Sequence, residues 1–131
     1  MLRTLEQDRA NCAWNCIKKT KDRNDEQIER KYKSFVNKSS ALLLTNGLGN
    51  TLAFYQSKYE GNSPEAQAYR FLYAHIDEWL KKQNIVDQNV IEWFRSKKTS
   101  SLDVIRATKE TLAFLSWLKR FAVAELKGDE D

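Results

Sequence analysis

The sequence is poor in residues that interrupt helices and in residues that carry most enzyme chemistry. Its 131 residues include one proline, four glycines, two cysteines and one histidine. So few helix breakers favour long helices, and one histidine with two cysteines falls short of a four-ligand zinc site. No run approaches the ~18 apolar residues that a membrane span needs. These absences predict a helical protein with no metal, no cofactor, no small-molecule substrate and no membrane partner.

The beginning of the chain lacks the apolar segment of a secretory signal peptide, because residues 1–8 mix charged and polar side chains with isolated leucines. We therefore expect a cytoplasmic protein, and the reducing cytosol argues against a disulfide between Cys12 and Cys16. These two thiols lie one helical turn apart. We expect them to be small, half-buried core side chains.

Positive charge is in excess. The formal net charge is +4 even though residues 129–131 are all acidic and are expected to form a frayed tail. Such a surplus suggests a polyanionic partner such as nucleic acid, although it also fits a protein whose charges only keep it soluble. The rest of the chain, residues 1–128, is predicted to be a single helical domain.

Apolar residues recur at helical spacing along most of the chain, and no strand-like alternation interrupts them. Thr4 and Gln7 form a capping-box pattern, Ser63-Pro64 begins a second clear helix, and Ser100 or Ser101 begins the last. Asp87 is expected to cap a short helix, and Ser39-Ser40 to loosen the helix before it resumes at 41–44. The sequence therefore predicts an all-α bundle of five to seven helices.

The first and last helices carry more apolar surface than a peripheral helix needs. The first has a core stripe consisting of Ala10, Ala13, Trp14 and Ile17, and a weaker second stripe consisting of Leu5, Cys12 and Cys16. That second stripe is either covered within the molecule or offered to a partner. The last helix is apolar on two flanks, with Leu112, Leu115, Leu118 and Ala122 on one and Phe114, Trp117, Phe121 and Ala124 on the other. A helix of this kind must be wrapped by other helices, so we expect it to be long and largely buried.

Candidates for catalysis are few. His75 falls in mid-helix beside an apolar face, which is typical of a structural histidine. Asn46-Gly-Leu-Gly49 lacks the Lys-Ser/Thr of a phosphate-binding loop and follows no strand, so it is interpreted as a tight junction between helices. The acidic residues mostly alternate with basic ones, as on solvated helix faces. An enzyme is not expected.

Basic residues are better organised than acidic ones. They concentrate between residues 18 and 38 and recur near 95–98 and at Lys119-Arg120. Lysine and arginine side chains neutralise phosphates, which gives salt-sensitive and sequence-tolerant binding of nucleic acid. Tyr32, between two lysines, could stack on a base, but its helical phase places it with Phe35 and Val36 in the core.

Three segments of the chain have distinctive amino-acid sequences. They are Lys31-Tyr-Lys-Ser-Phe-Val-Asn-Lys38, Ala41-Leu-Leu-Leu-Thr-Asn-Gly-Leu-Gly-Asn-Thr-Leu-Ala-Phe54, and Ala107-Thr-Lys-Glu110 continuing through Phe114-Leu-Ser-Trp-Leu-Lys-Arg-Phe-Ala122. In this order they resemble the small helical subunit family of type III-B CRISPR–Cas (Cmr) effector complexes, which serve antiviral defence. The chain departs from the family at Ser39-Ser40, where Leu-Pro is common, and at Val104, where a tyrosine is common.

The resemblance implies a non-catalytic, cytoplasmic structural subunit that stacks along a ribonucleoprotein. Its implied partners are the backbone subunits, the large subunit, neighbouring copies of itself, and guide and target RNA in a basic channel. Lys33, Lys38, Lys119 and Arg120 match basic positions of the family segments and are the predicted RNA contacts. Lys18 and Lys19 are added on charge alone. The alternatives are a protein–protein adaptor without RNA contact and a small metal-dependent nuclease.

Overall fold

Six α-helices make up the regular structure of the chain in a computed structural model that describes residues 2–128. They are α1 (Leu5–Lys21), α2 (Glu26–Asn46), α3 (Leu48–Lys58), α4 (Pro64–Lys82), α5 (Val90–Arg95) and α6 (Ser101–Glu125). No strand is present in residues 2–128. The predicted all-α fold class, helix number and long C-terminal helix are confirmed. The domain limits stay a prediction, and the acidic segment 129–131 lies outside the described residues.

The helix starts follow the capping patterns in the sequence, with one exception. The Thr4 hydroxyl accepts from the Gln7 amide at 3.1 Å and the Gln7 side chain accepts from the Thr4 amide at 2.9 Å, so the predicted capping box is confirmed. Ser100, paired in the same way with Asp103, begins α6. The predicted cap at Asp87 is wrong, because α5 begins at Val90 and the adjacent Asn89 side chain accepts from the Ile91 amide.

Helix α2 runs without a break through Ser39-Ser40, so the prediction of a loosened helix there is wrong. The Ser39 hydroxyl is buried and donates to the Val36 carbonyl oxygen at 2.7 Å. A serine that bonds its own helix backbone in this way needs no other partner and leaves the helix intact. Residues 41–44 therefore belong to the last turns of α2, where Leu43 is buried and Leu44 is exposed.

The core forms where α4 meets α2, α3 and α6, with α1 packed on α6. Trp79 of α4 stacks on Phe114 of α6 with ring centroids 5.5 Å apart, and Phe35 of α2 stacks on Tyr69 of α4 at 3.8 Å. Such aromatic pairs bury large areas and fix the relative positions of the helices. No described helix is long and apolar enough to cross a bilayer.

Helix α1 buries part of the stripe that was predicted to face the core and part of the second stripe. Ala13 and Ile17 are buried as expected, but Trp14 is 38% exposed and packs edge-on against Phe121 at 5.4 Å. Cys12 and Cys16 are fully buried rather than half-buried, because α1 also contacts α4. Most of the second stripe is therefore covered within the molecule.

The junction between α2 and α3 has the geometry predicted from its glycines. Gly47 has φ +84°, in the region that favours glycine, and it both ends α2 and begins α3. At Gly49 an added Cβ would lie 2.5 Å from the ring of Phe94 on α5. The first glycine therefore permits the turn and the second permits close packing.

Candidate nucleic-acid interface

The six predicted RNA-contacting residues lie on three helices. Lys18 and Lys19 are on α1, Lys33 and Lys38 on α2, and Lys119 and Arg120 on α6. All except Lys33 are exposed, so most of their charge is available to a partner. The fold does not bring all six together, and their separate positions divide them into distinct groups.

Lys119 and Arg120 line a groove of about 590 Å³ between α2 and α6 together with Ser40, Ser116 and Val123. Within residues 2–128 neither basic side chain has a hydrogen bond or an ion pair. Their charges are therefore not neutralised by the fold, and the two serine hydroxyls beside them can donate to phosphate oxygens. We call these five residues the α2–α6 groove.

Lys33 lies on the same face of α2 as Ser40, seven residues earlier, and is half-buried. Its ammonium donates to the Leu126 carbonyl oxygen at 3.3 Å, just beyond the end of α6. The neighbouring Lys127 amide donates to the Glu29 carboxylate at 2.9 Å. Lys33 therefore holds the C-terminal segment on α2, and an RNA contact there would be a second role for the same side chain.

Lys38 is exposed but lies outside the α2–α6 groove. It precedes Ser40 by two residues, which places it about 160° around the helix axis. It has no ion pair among the residues that the structure describes. A partner that touches the α2–α6 groove would have to extend around α2 to reach it.

Lys18 and Lys19 point to different neighbours. Lys18 lines a pocket of about 230 Å³ near the ends of α1 and α6, with Trp14 and Glu125. Lys19 lies 3.8 Å from a carboxylate oxygen of Glu78 on α4. The α1 pair is therefore not one basic site, and only Lys18 keeps a charge without an ion pair within residues 2–128.

The single histidine is part of the core. His75 is 7% exposed, and its Nδ1 lies 2.7 Å from the Tyr32 hydroxyl, which is itself fully buried. Burial lowers the pKa of His75 to about 4, so the ring is neutral near pH 7. This agrees with the structural role predicted for His75 and with the core position predicted for Tyr32.

A mostly buried ion pair joins three helices and was not predicted. Arg9 of α1 donates from Nε and a terminal nitrogen to the two oxygens of Glu110 on α6, at 2.6 and 2.9 Å. Trp79 Nε1 of α4 donates to the same carboxylate at 3.1 Å. Burial alone would raise the pKa of Glu110, but the hydrogen bonds from Arg9 and Trp79 lower it. The available sequence signal was an acidic residue in core phase between Ala107 and Phe114.

Potential metal ligands cluster at one place in residues 2–128, where the donor atoms of Cys12, Cys16 and Glu78 lie within 4.8 Å of one another. A nuclease that uses Mg²⁺ or Mn²⁺ requires a cluster of oxygen ligands, whereas two of these three are sulfurs. The hydrogen bond with Cys16 lowers the pKa of Cys12, and that contact together with burial raises the pKa of Cys16. The chemistry of this cluster does not match hydrolysis of RNA.

The family model described as CRISPR-associated protein (Cas_Cmr5) matches residues 5–125 of the chain. The match begins at the first residue of α1 and ends at the last residue of α6. It therefore covers all six helices and every residue of the α2–α6 groove.

Proposed function

The chain belongs to the Cas_Cmr5 family, the small subunits of type III-B CRISPR–Cas (Cmr) complexes, and we propose that it acts there as a non-catalytic structural subunit. In this proposal, copies of the protein stack along the complex beside the backbone subunits and the large subunit. Together they help form the basic channel that receives guide and target RNA. The contribution of each copy is packing and electrostatic attraction rather than chemistry.

The observation that carries the RNA part of the proposal is the α2–α6 groove. Basic side chains that serve the fold have partners, as Arg9 has Glu110 and Lys81 has Asp77. Lys119 and Arg120 have none within residues 2–128 and stand beside two serine hydroxyls. An anionic chain passing along the groove could satisfy both charges without displacing any intramolecular bond. Phosphate contacts of this kind position RNA without reading its sequence.

Two features support a role without catalysis. His75, the single histidine, is mostly buried with Nδ1 bonded to the Tyr32 hydroxyl, and burial lowers its pKa to about 4, so it is a poor general base near pH 7. The carboxylate of the Cys12, Cys16 and Glu78 cluster is paired with Lys82 on its own helix, and two of the three donors there are sulfurs. Neither arrangement supplies an accessible general base or the oxygen-ligand cluster of a nuclease.

The decisive experiment changes the groove in the reconstituted effector complex. The double variant Lys119→Glu/Arg120→Glu should assemble with the other subunits and with guide RNA, because both side chains are exposed and make no bond within residues 2–128. Capture of target RNA by that complex should fall, and the slope of log affinity against log salt should decrease by about two, one for each phosphate that is no longer neutralised. Both quantities are read from filter-binding titrations at several salt concentrations.

The matched control is Lys97→Glu/Lys98→Glu, a basic pair that is also exposed and lies on the link between α5 and α6. It changes net charge by the same amount but leaves the α2–α6 groove untouched, so target capture should decrease much less. Equal losses in the two double variants would mean that only overall charge matters. Unchanged capture in the groove variant would favour the adaptor, which assembles but does not touch RNA.

The isolated subunit should bind mixed-sequence RNA weakly and release it as salt is raised, because a few phosphate contacts hold RNA poorly on their own. Incubation of the pure protein with labelled RNA and Mg²⁺ or Mn²⁺ tests the nuclease alternative in the same preparation. Intact RNA is the expected result, and metal-dependent fragments would contradict the non-catalytic role.

A further inference from the structure

The Cys12, Cys16 and Glu78 cluster is not used by the proposed function. The two thiols come from successive turns of α1, and the carboxylate comes from α4, which is more than sixty residues further along the chain. Both cysteines are buried, whereas the Glu78 side chain is 34% exposed. The cluster therefore lies at the seam between two helices, with its sulfurs inside and its carboxylate at the edge.

The distances are close to those of a metal site. The three donor atoms lie within 4.8 Å of one another, and Cys12 Sγ lies 3.9 Å from a Glu78 carboxylate oxygen. In a tetrahedral zinc site, bonds of about 2.3 Å to sulfur and about 2.0–2.2 Å to oxygen place the ligand atoms roughly 3.5–3.8 Å apart. Small rotations of three side chains would bring these atoms to that spacing. The fourth position would face the solvent that reaches Glu78.

The ligand set selects the metal. Thiolates favour borderline and soft cations, and two thiolates with one carboxylate suit Zn²⁺ far better than Mg²⁺ or Ca²⁺. Two cysteines four residues apart on a helix are neighbours in space, so both sulfurs can bind the same ion. The third ligand comes from another helix, which the spacing of the cysteines alone could not reveal.

The surrounding charges fit an anionic ligand set. Lys82 Nζ lies 3.2 Å from one oxygen of Glu78, and Lys19 Nζ lies 3.8 Å from the other. Two thiolates and one carboxylate carry three negative charges, which the two lysines partly offset. The oxygen that faces Cys12 is the one that Lys82 contacts, so a metal would take the place of the Lys82 ammonium there, while the other oxygen keeps its contact with Lys19. Lys19 would then orient the ligand in the way that partners of metal-bound carboxylates commonly do.

The geometry points to a zinc site formed by Cys12, Cys16 and Glu78, with water as the fourth ligand, that fastens α1 to α4. Its role would be to join two helices that otherwise meet through few side chains, with water rather than a fourth side chain completing the tetrahedron. Arg9 and Glu110 already fasten α1 to α6. The metal would provide the corresponding link from the same side of α1 to α4, since Cys16 follows Arg9 by seven residues. Zinc binding at this place would require neither RNA nor the other subunits.

The test uses the purified full chain, fully reduced by a phosphine, with Co²⁺ as a spectroscopic substitute for Zn²⁺. One Co²⁺ per chain should bind, with sulfur-to-cobalt charge-transfer absorption in the near ultraviolet and strong tetrahedral bands in the visible. Added Zn²⁺ should bleach these bands and raise the Tm. Cys12→Ser and Cys16→Ser should each remove most of the charge-transfer absorption.

The variant that separates this site from a simple dithiol is Glu78→Gln, whose side chain is partly exposed and keeps its shape. It should weaken Co²⁺ binding about tenfold or more while the charge-transfer band persists at high metal. Glu65→Gln, an exposed carboxylate in the first turn of the same helix, is the matched control and should bind as the parent does. The inference is overturned if the parent shows no charge-transfer band at equimolar metal. It also fails if Glu78→Gln binds as tightly as the parent, or if Glu65→Gln weakens binding equally.

Discussion

Arg9 and Arg120 carry the same charge in two very different surroundings. The Arg9 side chain is 22% exposed and donates two hydrogen bonds to the Glu110 carboxylate. The same carboxylate accepts a hydrogen bond from the indole N–H of Trp79. Arg120 lines the α2–α6 groove, is exposed, and has no partner within residues 2–128. The first arginine is paired within the fold, and the charge of the second is one that the proposed function assigns to RNA. Basic residues that look equivalent in the sequence therefore differ in one respect: some already form an ion pair within the folded chain, and others do not.

The largest effect that follows from this comparison is the loss of stability when the ion pair of Arg9 is broken. Replacing Glu110 by alanine would leave the Arg9 guanidinium and the Trp79 N–H without their shared acceptor in a mostly buried place. We expect the free energy of unfolding to fall by about 3 kcal/mol, since removing one partner of a buried pair leaves the other unsatisfied. Thermal unfolding should show this as a decrease in Tm of roughly 10 °C.

Glu92→Ala is the matched control for that experiment. Glu92 forms an ion pair with Arg95 at 3.5 Å, but both side chains are more than half exposed. Exposed pairs of this kind contribute little, so the change should stay within about 0.5 kcal/mol. If Glu110→Ala lowered the free energy of unfolding no more than Glu92→Ala does, the ion pair of Arg9 would contribute no more to stability than an exposed pair.

The sequence predicted the helices better than it predicted the pairing of charges. Capping residues at Thr4, Ser63 and Ser100 are local signals, because each acts within three residues of itself. The bond between Arg9 and Glu110 joins residues 101 positions apart, and no local pattern encodes which distant side chain meets which. The same reason explains why the sequence left open whether Cys12 and Cys16 are covered within the molecule or by a partner.

The candidate interface also combines features that are local in the sequence with features that depend on distant contacts. The proximity of Lys119 to Arg120 follows from their adjacency in α6, so the sequence alone places these two basic side chains together. The hydrogen bond of Lys33 to Leu126 depends on where the chain passes after α6, and the separation of Lys38 from the groove depends on which side of α2 meets α6. Those two features needed the packed structure.

A second, smaller effect on stability comes from the protonation of His75 rather than from an ion pair. In the folded protein burial lowers the pKa of His75 to about 4, below its ordinary value of 6.5, so the unfolded chain binds a proton more readily. The contribution to stability is complete above pH 6.5 and is lost as the pH falls toward about 4. Between pH 7 and pH 5 the free energy of unfolding should decrease by about 2 kcal/mol from this group.

Urea unfolding at the two pH values measures that loss, and His75→Gln provides the comparison. Glutamine can still bond to the Tyr32 hydroxyl but does not titrate. The variant is expected to be less stable at pH 7, yet its stability should change much less between pH 7 and pH 5. An unchanged pH dependence in His75→Gln would assign the effect to other groups. The range stops at pH 5 because Glu78 and Glu110, whose pKa values are lowered, remain ionised there.

The smallest expected effect is a difference in stability between variants of Lys33 and Lys38. It gives the closest comparison of a paired and an unpaired charge, because both lysines belong to one helix. Lys33 donates to the Leu126 carbonyl oxygen and packs its side chain near Gly128, whereas Lys38 is exposed and has no ion pair within residues 2–128. Lys33→Ala should therefore lower the free energy of unfolding by about 1 kcal/mol, the typical contribution of one hydrogen bond. Lys38→Ala should change it by less than about 0.5 kcal/mol. Denaturant unfolding of the two variants measures the difference.

The RNA affinities of the same two variants then decide what each lysine is for. If Lys33 serves only to hold the C-terminal segment, Lys33→Ala should lose stability and keep its affinity for RNA, while Lys38→Ala does the reverse. If Lys33 also contacts RNA, Lys33→Ala should lose both, and the salt slope should fall by about one. Equal stability of the two variants would contradict the hydrogen bond to Leu126 as a stabilising contact. Lys33 would then join Lys119 and Arg120 among the charges that the fold leaves free.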